Sequence, residues 1–230
     1  MPIQKLCKIA RFCCLMALAQ PSPLAAQSPV DQQAGESTAN IAYLDRRAGV
    51  AGLEIHGPIN KTVATKAMEL ITSTRPDVDE LTISLDSPGG DVLAAIELGE
   101  GIKKQWTATA VADDGQCFGA CVLVLAAGVR RTAAPNRVAL QRLSFDQRQV
   151  ASISRDRAKP KQIVSAKRVE MYLAQMGMPK KLLQEMMRQP PDKMLLLDAR
   201  RLKDLGLDGI DQAYEDWLRT KDDPKPLQPN

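Results

Sequence analysis

The chain has 230 residues, 44% of them hydrophobic and 25% charged, with Lys+Arg 31 against Asp+Glu 27 and a formal net charge of +4. Aromatic content is 3% and no long basic stripe interleaves with stacking residues, which argues against a nucleic-acid partner. His56 is the single histidine, too few ligands for a metal site, and no cofactor is implied.

Residues 1–26 read as a secretory signal. Lys5, Lys8 and Arg11 form a positive front, Phe12 to Ala19 an apolar core, and Leu24-Ala25-Ala26 a small-residue cleavage pattern before Gln27. The apolar run is too short to span a bilayer, so no stable membrane insertion is expected and the chain is read as periplasmic or secreted. Removing three bases and no acids leaves 28 minus 27, a net charge of +1. It also removes Cys7, Cys13 and Cys14, leaving Cys117 and Cys121 in a compartment that permits disulfides. Residues 27–48 read as a flexible linker, rich in Gln, Ser, Gly and Ala over Ser28 to Asn40.

The domain is expected over 49–218, large enough for a single core. Val50 to Ile59 alternates as a strand and ends in a Gly57-Pro58 turn, with His56 on the polar side and read as a surface or satisfied histidine. Thr62 to Ser73 is an amphipathic helix, and Arg75-Pro76-Asp77 turns the chain into the strand Leu81 to Leu85. Asp86-Ser87-Pro88-Gly89-Gly90-Asp91 is then a hinge into the helix Val92 to Lys104, which carries Val92, Ala95, Ile96, Gly99 and Ile102 at helical spacing. Pro88 biases Ser87 towards an extended conformation, and the glycine pair permits close backbone approaches. Amide N–H groups at such a turn, facing a helix start, form a place for a carbonyl or carboxylate oxygen. The bland alternative is an ordinary tight turn.

A second unit comes after it. Trp106 to Val111 reads as a strand, Gly115 to Gly128 as a turn feeding a buried helix, and Arg137 to Gln141 as a third strand after a Pro135-Asn136 turn. Cys117 and Cys121, four residues apart at a helix start, suit either a local disulfide or two buried thiols. Arg130-Arg131 and Lys180-Lys181 read as solvated faces. Ser144 to Lys159 is polar and without period, an exposed excursion near the site mouth. Ile163 to Met176 marks a long helix ending at Gly177, and Pro179 to Met187 another. Ala199 to Leu205 is a closing helix before a short strand, and 219–230 a disordered tail.

Two glycine turns in register with two strand–helix units resemble the Clp protease proteolytic-subunit family of the Clp/crotonase superfamily, especially its signal-bearing bacterial members. The resemblance runs from about Gly49 to about Asp211, and its specific part is Leu81 to Gln141. It implies an α/β fold, a spiral of strand–helix units around a largely parallel sheet. In that family the nucleophilic serine lies nine residues before the helix-terminal glycine. Counting back from Gly128 lands on Gly119. The family's histidine base closes a Val-x-apolar-His strand, which here is Val138-Ala139-Leu140-Gln141. No acid of the family pattern is found in Arg188-Gln189-Pro190-Pro191-Asp192.

A glycine has no hydroxyl to act as nucleophile, and a glutamine amide has no useful basicity near neutral pH. What the resemblance leaves is main chain: Gly89, Gly90 and Ala120 match its oxyanion and peptide-docking positions. The expectation is an exported, inactive Clp-protease-like protein that binds a peptide or protein segment. A homo-oligomer or an assembly with a paralogue would fit the family's use of the long helix. The alternatives are a hydrolase with a relocated nucleophile at Ser87, Cys117 or Ser144, and acyl-thioester chemistry through a carboxylate such as Asp91.

Overall fold

The computed structural model describes residues 36–143 and 166–222. Among the described residues nine strands form two sheets. The larger has the order β1 (Thr38–Asp45), β2 (Val50–His56), β3 (Glu80–Asp86), β4 (Ala108–Val111), β6 (Arg130–Thr132) and β9 (Gly209–Ile210). Its four central strands are parallel and its two edges antiparallel. The smaller has the order β5 (Cys117–Phe118), β7 (Val138–Gln141) and β8 (Met194–Leu196).

Helices α1 (Lys61–Thr74) and α2 (Val92–Lys104) follow β2 and β3, as expected of right-handed crossovers between parallel strands. Each starts where a side chain takes an orphan amide: Asn60 accepts from Val63 N at 2.9 Å and Asp91 from Ala94 N at 2.8 Å. Helix α3 (Cys121–Ala126) is buried along its whole length and packs against α2 and β4, so hydrophobic burial secures it despite its six residues. Beyond residue 165 come α4 (Ala166–Gln175), α5 (Lys181–Arg188), α6 (Ala199–Asp204) and α7 (Gln212–Asp222). No helix among the described residues is long and apolar enough to cross a membrane.

Four local expectations need correction. The later part of the 27–48 linker is β1, paired antiparallel with β2 from Thr38 opposite His56 to Asp45 opposite Val50. At the other end α7 carries order through Asp222, past the limit of 218. The excursion over 144–159, the signal over 1–26 and the rest of the tail lie outside the described residues, as do Ile163 and Val164 of the long helix.

Trp106, expected in a strand, ends α2 instead. Thr107 N donates to Ile102 O and Trp106 N to Lys103 O, each at 3.2 Å, the paired bonds of a helix terminus whose turning residue is left-handed. Glycine suits that position, and a tryptophan at φ +50 costs about 1–2 kcal/mol.

Arg131, expected on a solvated face, is buried. Its Nη1 donates to Gly128 O at 2.8 Å and so satisfies a carbonyl beyond the end of α3. Burial lowers its guanidinium below the ordinary value, and the charge of Asp211 partly offsets this. Asp211 is itself buried, paired with Lys103 Nζ at 2.7 Å and accepting from Tyr214 N at the start of α7.

Finally, Val138 to Gln141 does not extend the main sheet. It pairs with β5 and β8, and the second sheet thereby walls the space around the two glycine turns.

Candidate functional site

Strand β3 hands the chain from one sheet to the other. At Ser87 it bridges to Cys117: Ser87 N donates to Gln116 O at 2.6 Å, and Phe118 N to Ser87 O at 3.0 Å. Cys117 N donates in turn to Arg137 O at 2.9 Å, and Gly119 N to Ala139 O at 3.3 Å. Both glycine turns are thereby sewn into one ladder.

Gly89 lies hard against the second turn. A β-carbon there would sit 3.0 Å from Phe118 O and 3.3 Å from Ala120 N, so only glycine, at φ +111, lets the turns meet. Gly90 is different. Ile59 N donates to Gly89 O at 2.7 Å and Asp91 N to Ile59 O at 2.8 Å, a parallel bridge that turns Gly90's own N–H and C=O to the opposite edge. A β-carbon at 90 would strike the Ile59 backbone, 2.2 Å from its carbonyl oxygen. Its absence therefore serves the fold more directly than any ligand. Among the described residues neither the Gly90 nor the Ala120 amide has an acceptor, whereas Gly89 N donates to Ser87 Oγ at 3.2 Å.

Gly119 adopts φ +53, and a β-carbon on it would point at Gln141, 3.1 Å from Oε1. Positions 119 and 141, far apart in sequence, thus face each other. The antiparallel register pairs Gln141 with Met194 and Ala139 with Leu196, which sets all four on one face of the small sheet. The side chain across from position 141 is therefore a thioether, 54% exposed, and no carboxylate. Sequence reasoning missed Met194, because only the strand register brings it there.

Cys117 and Cys121, both buried, bracket Gly119 and lie at bonding distance, S–S 1.98 Å with Cα atoms 5.2 Å apart. The candidate nucleophile Ser87 and the candidate carboxylate Asp91 are occupied. Ser87 is buried, its hydroxyl donating to Gly89 O and accepting from Gly89 N. The Asp91 carboxylate caps α2. Ser144 lies outside the described residues. His56 is exposed, its Nδ1 2.8 Å from Asp86 Oδ2, while Asp86 Oδ1 accepts from Gln116 N at 3.0 Å. It is a satisfied surface histidine on the polar side of β2. Among the described residues no cluster of His, Cys, Asp or Glu could hold a metal ion.

No family model matches the sequence. No curated protein matches it either. The solved structure of ClpP1 from Listeria monocytogenes is similar over 68% of this chain and 88% of its own, with a TM-score of 0.50 and 16% sequence identity. The fold is ClpP-like: a mixed α/β arrangement with a mostly parallel sheet.

Proposed function

We propose that this chain is an exported ClpP-like protein that docks an extended peptide and does not hydrolyse it. One observation carries the reading: the side chain that position 119 would project into the site is missing, and the group it would meet is the amide of Gln141. Hydrolysis through an acyl-enzyme needs a hydroxyl or thiol with a base in reach, and neither partner is present at this contact. What remains is main chain. The Gly90 and Ala120 amides are without acceptors among the described residues, and the outward edge at Gly90 suits a strand-like ligand added by main-chain hydrogen bonds.

Export is proposed from the leader pattern of residues 1–26, with which a Cys117–Cys121 bridge agrees. Assembly with copies of itself or a paralogue is proposed through α4, where Met171 is exposed. Of the nucleophiles in the hydrolase alternative, Ser87 and Cys117 are both buried and engaged, and Ser144 lies outside the described residues.

The test is a serine-directed fluorophosphonate probe together with peptide-array binding on the purified protein. Absence of labelling with saturable binding of extended peptides is expected. Labelling abolished by substitution at Ser87, Cys117 or Ser144 would overturn the reading in favour of a relocated nucleophile. Export predicts that periplasmic protein begins near Gln27, and an intact Met1 terminus there would refute cleavage.

A further inference from the structure

A glycine at position 119 makes the second turn pliant, because a residue without a β-carbon passes between left- and right-handed backbone conformations at little cost. Gly119 holds φ +53, and its N–H reaches Ala139 O at 3.3 Å, the longest bond of the ladder that joins the two turns. The next residue, Ala120, turns at φ -65 into α3, and its own amide has no acceptor among the described residues. Freedom therefore lies where docking needs a donor held in one direction.

Cys117 and Cys121 stand on either side of that point. Cys117 belongs to β5, where its N–H is held by Arg137 O, and Cys121 opens α3. The bond between their sulfurs ties a strand of the small sheet to the first residue of a buried helix, and closes a short ring around Gly119 and Ala120. Such a ring restricts the conformations that the glycine would otherwise sample. Both cysteines are fully buried, so a reductant reaches the sulfurs only when the turn opens.

We propose, resting on the peptide-docking reading, that the Cys117–Cys121 bridge regulates that docking: bridged, the turn presents the Ala120 amide in one direction, and reduced, it does not. The reductant is a dithiol. In the exchange the Sγ–Sγ bond breaks, each sulfur gains one electron and one proton, and the dithiol leaves as its own disulfide. Affinity then falls with the fraction of molecules whose turn is correctly set, by about tenfold. The coupling is reciprocal. A peptide that prefers the bridged form about tenfold must protect the bridge by the same factor, about 30 mV for this two-electron couple.

The probes are fluorescein-labelled peptides tiling β-casein, an unstructured chain without cysteine. Anisotropy gives their affinity for bridged protein, for protein reduced with dithiothreitol and for a Cys117→Ala/Cys121→Ala variant, with circular dichroism to follow the fold. Reduced and variant proteins are expected to bind about tenfold more weakly, and reoxidation should restore the reduced one. Saturating peptide should move the reduction midpoint, read by alkylation in dithiothreitol buffers, by about 30 mV. Ile71→Ala is the control: it truncates a buried side chain about 15 Å along α1 from the helix start beside Gly90, and should lower the melting temperature without lowering affinity. Equal affinity in all forms with an unmoved midpoint would overturn the switch and leave peptide docking standing. Binding in no form would overturn the docking reading, and the switch with it. An equal loss in Ile71→Ala, or unfolding on reduction, would make the bridge a support of the fold alone and would likewise refute the switch.

Discussion

Installing, in three steps, the serine, histidine and acid that the proposed function holds to be absent tests the geometry of the site most directly. Gly119→Ser alone is expected to be inert towards activated esters and to cost about 1–2 kcal/mol, because φ is +53 at that position. The added β-carbon would lie 3.1 Å from Gln141 Oε1, so the amide must retreat by a few tenths of an ångström or be replaced. Adding Gln141→His puts an imidazole where the amide met the new side chain, within hydrogen-bond reach of the hydroxyl. Slow ester cleavage should appear, since the Gly90 and Ala120 amides have no acceptor among the described residues and can donate to a developing oxyanion. The imidazole still lacks an orienting acid, because the register sets Met194 across from 141. Directly opposed side chains have β-carbons about 4.5–5.5 Å apart, so Met194→Asp brings a carboxylate to the imidazole. In an intact triad the acid is worth about 10⁴ in kcat. A scaffold not otherwise tuned should yield at least about tenfold, ~1.4 kcal/mol off the barrier. The assay is p-nitrophenyl ester hydrolysis with fluorophosphonate labelling, and melting curves confirm the fold. A folded triple variant no faster than the double would refute the facing of 141 and 194. Labelling of the Gly119→Ser protein as fast as the triple would reveal a base other than position 141.

The remaining expectations concern stability. Tyr172 is buried and donates to Leu123 O at 2.7 Å; burial first, and the charge of Glu100 second, push its phenol well above the ordinary 10.0. The unfolded chain therefore releases this proton first, so stability present below about pH 10 falls at higher pH by ~1.4 kcal/mol per unit. Tyr172→Phe should flatten that fall in alkaline denaturant titrations, and an unchanged slope would disprove the assignment. In protein freed of residues 1–26, alkylation should find no thiol until reduction, which should lower stability by about 2 kcal/mol for so short a loop; two thiols titrating without reductant would exclude the bridge. Gly90→Val should lose the two Ile59 hydrogen bonds and strain the backbone, about 2–4 kcal/mol in all. Its melting temperature should fall together with peptide binding, and unaltered melting would contradict the close contact with Ile59.

Much of this was readable in local pattern. Alternating Leu81, Ile83 and Leu85 point to one side of β3, Asp91 caps α2, and glycines mark both turns, because propensity, capping and turn chemistry act over a few residues. Positions 119 and 141 were singled out through the resemblance, by its spacing along the chain. Tertiary structure decided the rest. Thr38 to Asp45 has no regular alternation of buried and exposed residues, yet it becomes a strand because β2 offers an unpaired edge. Arg131 is buried because carbonyls at the end of α3 need a donor, and nothing in an Arg-Arg pair announces that. Met194 meets Gln141 through the register of two strands more than fifty residues apart, and Trp106 meets Trp217 across an even longer separation. Such pairings carry no local signature, because the free energy that selects them comes from burial and hydrogen bonding between distant segments and exists only once the chain has closed on itself.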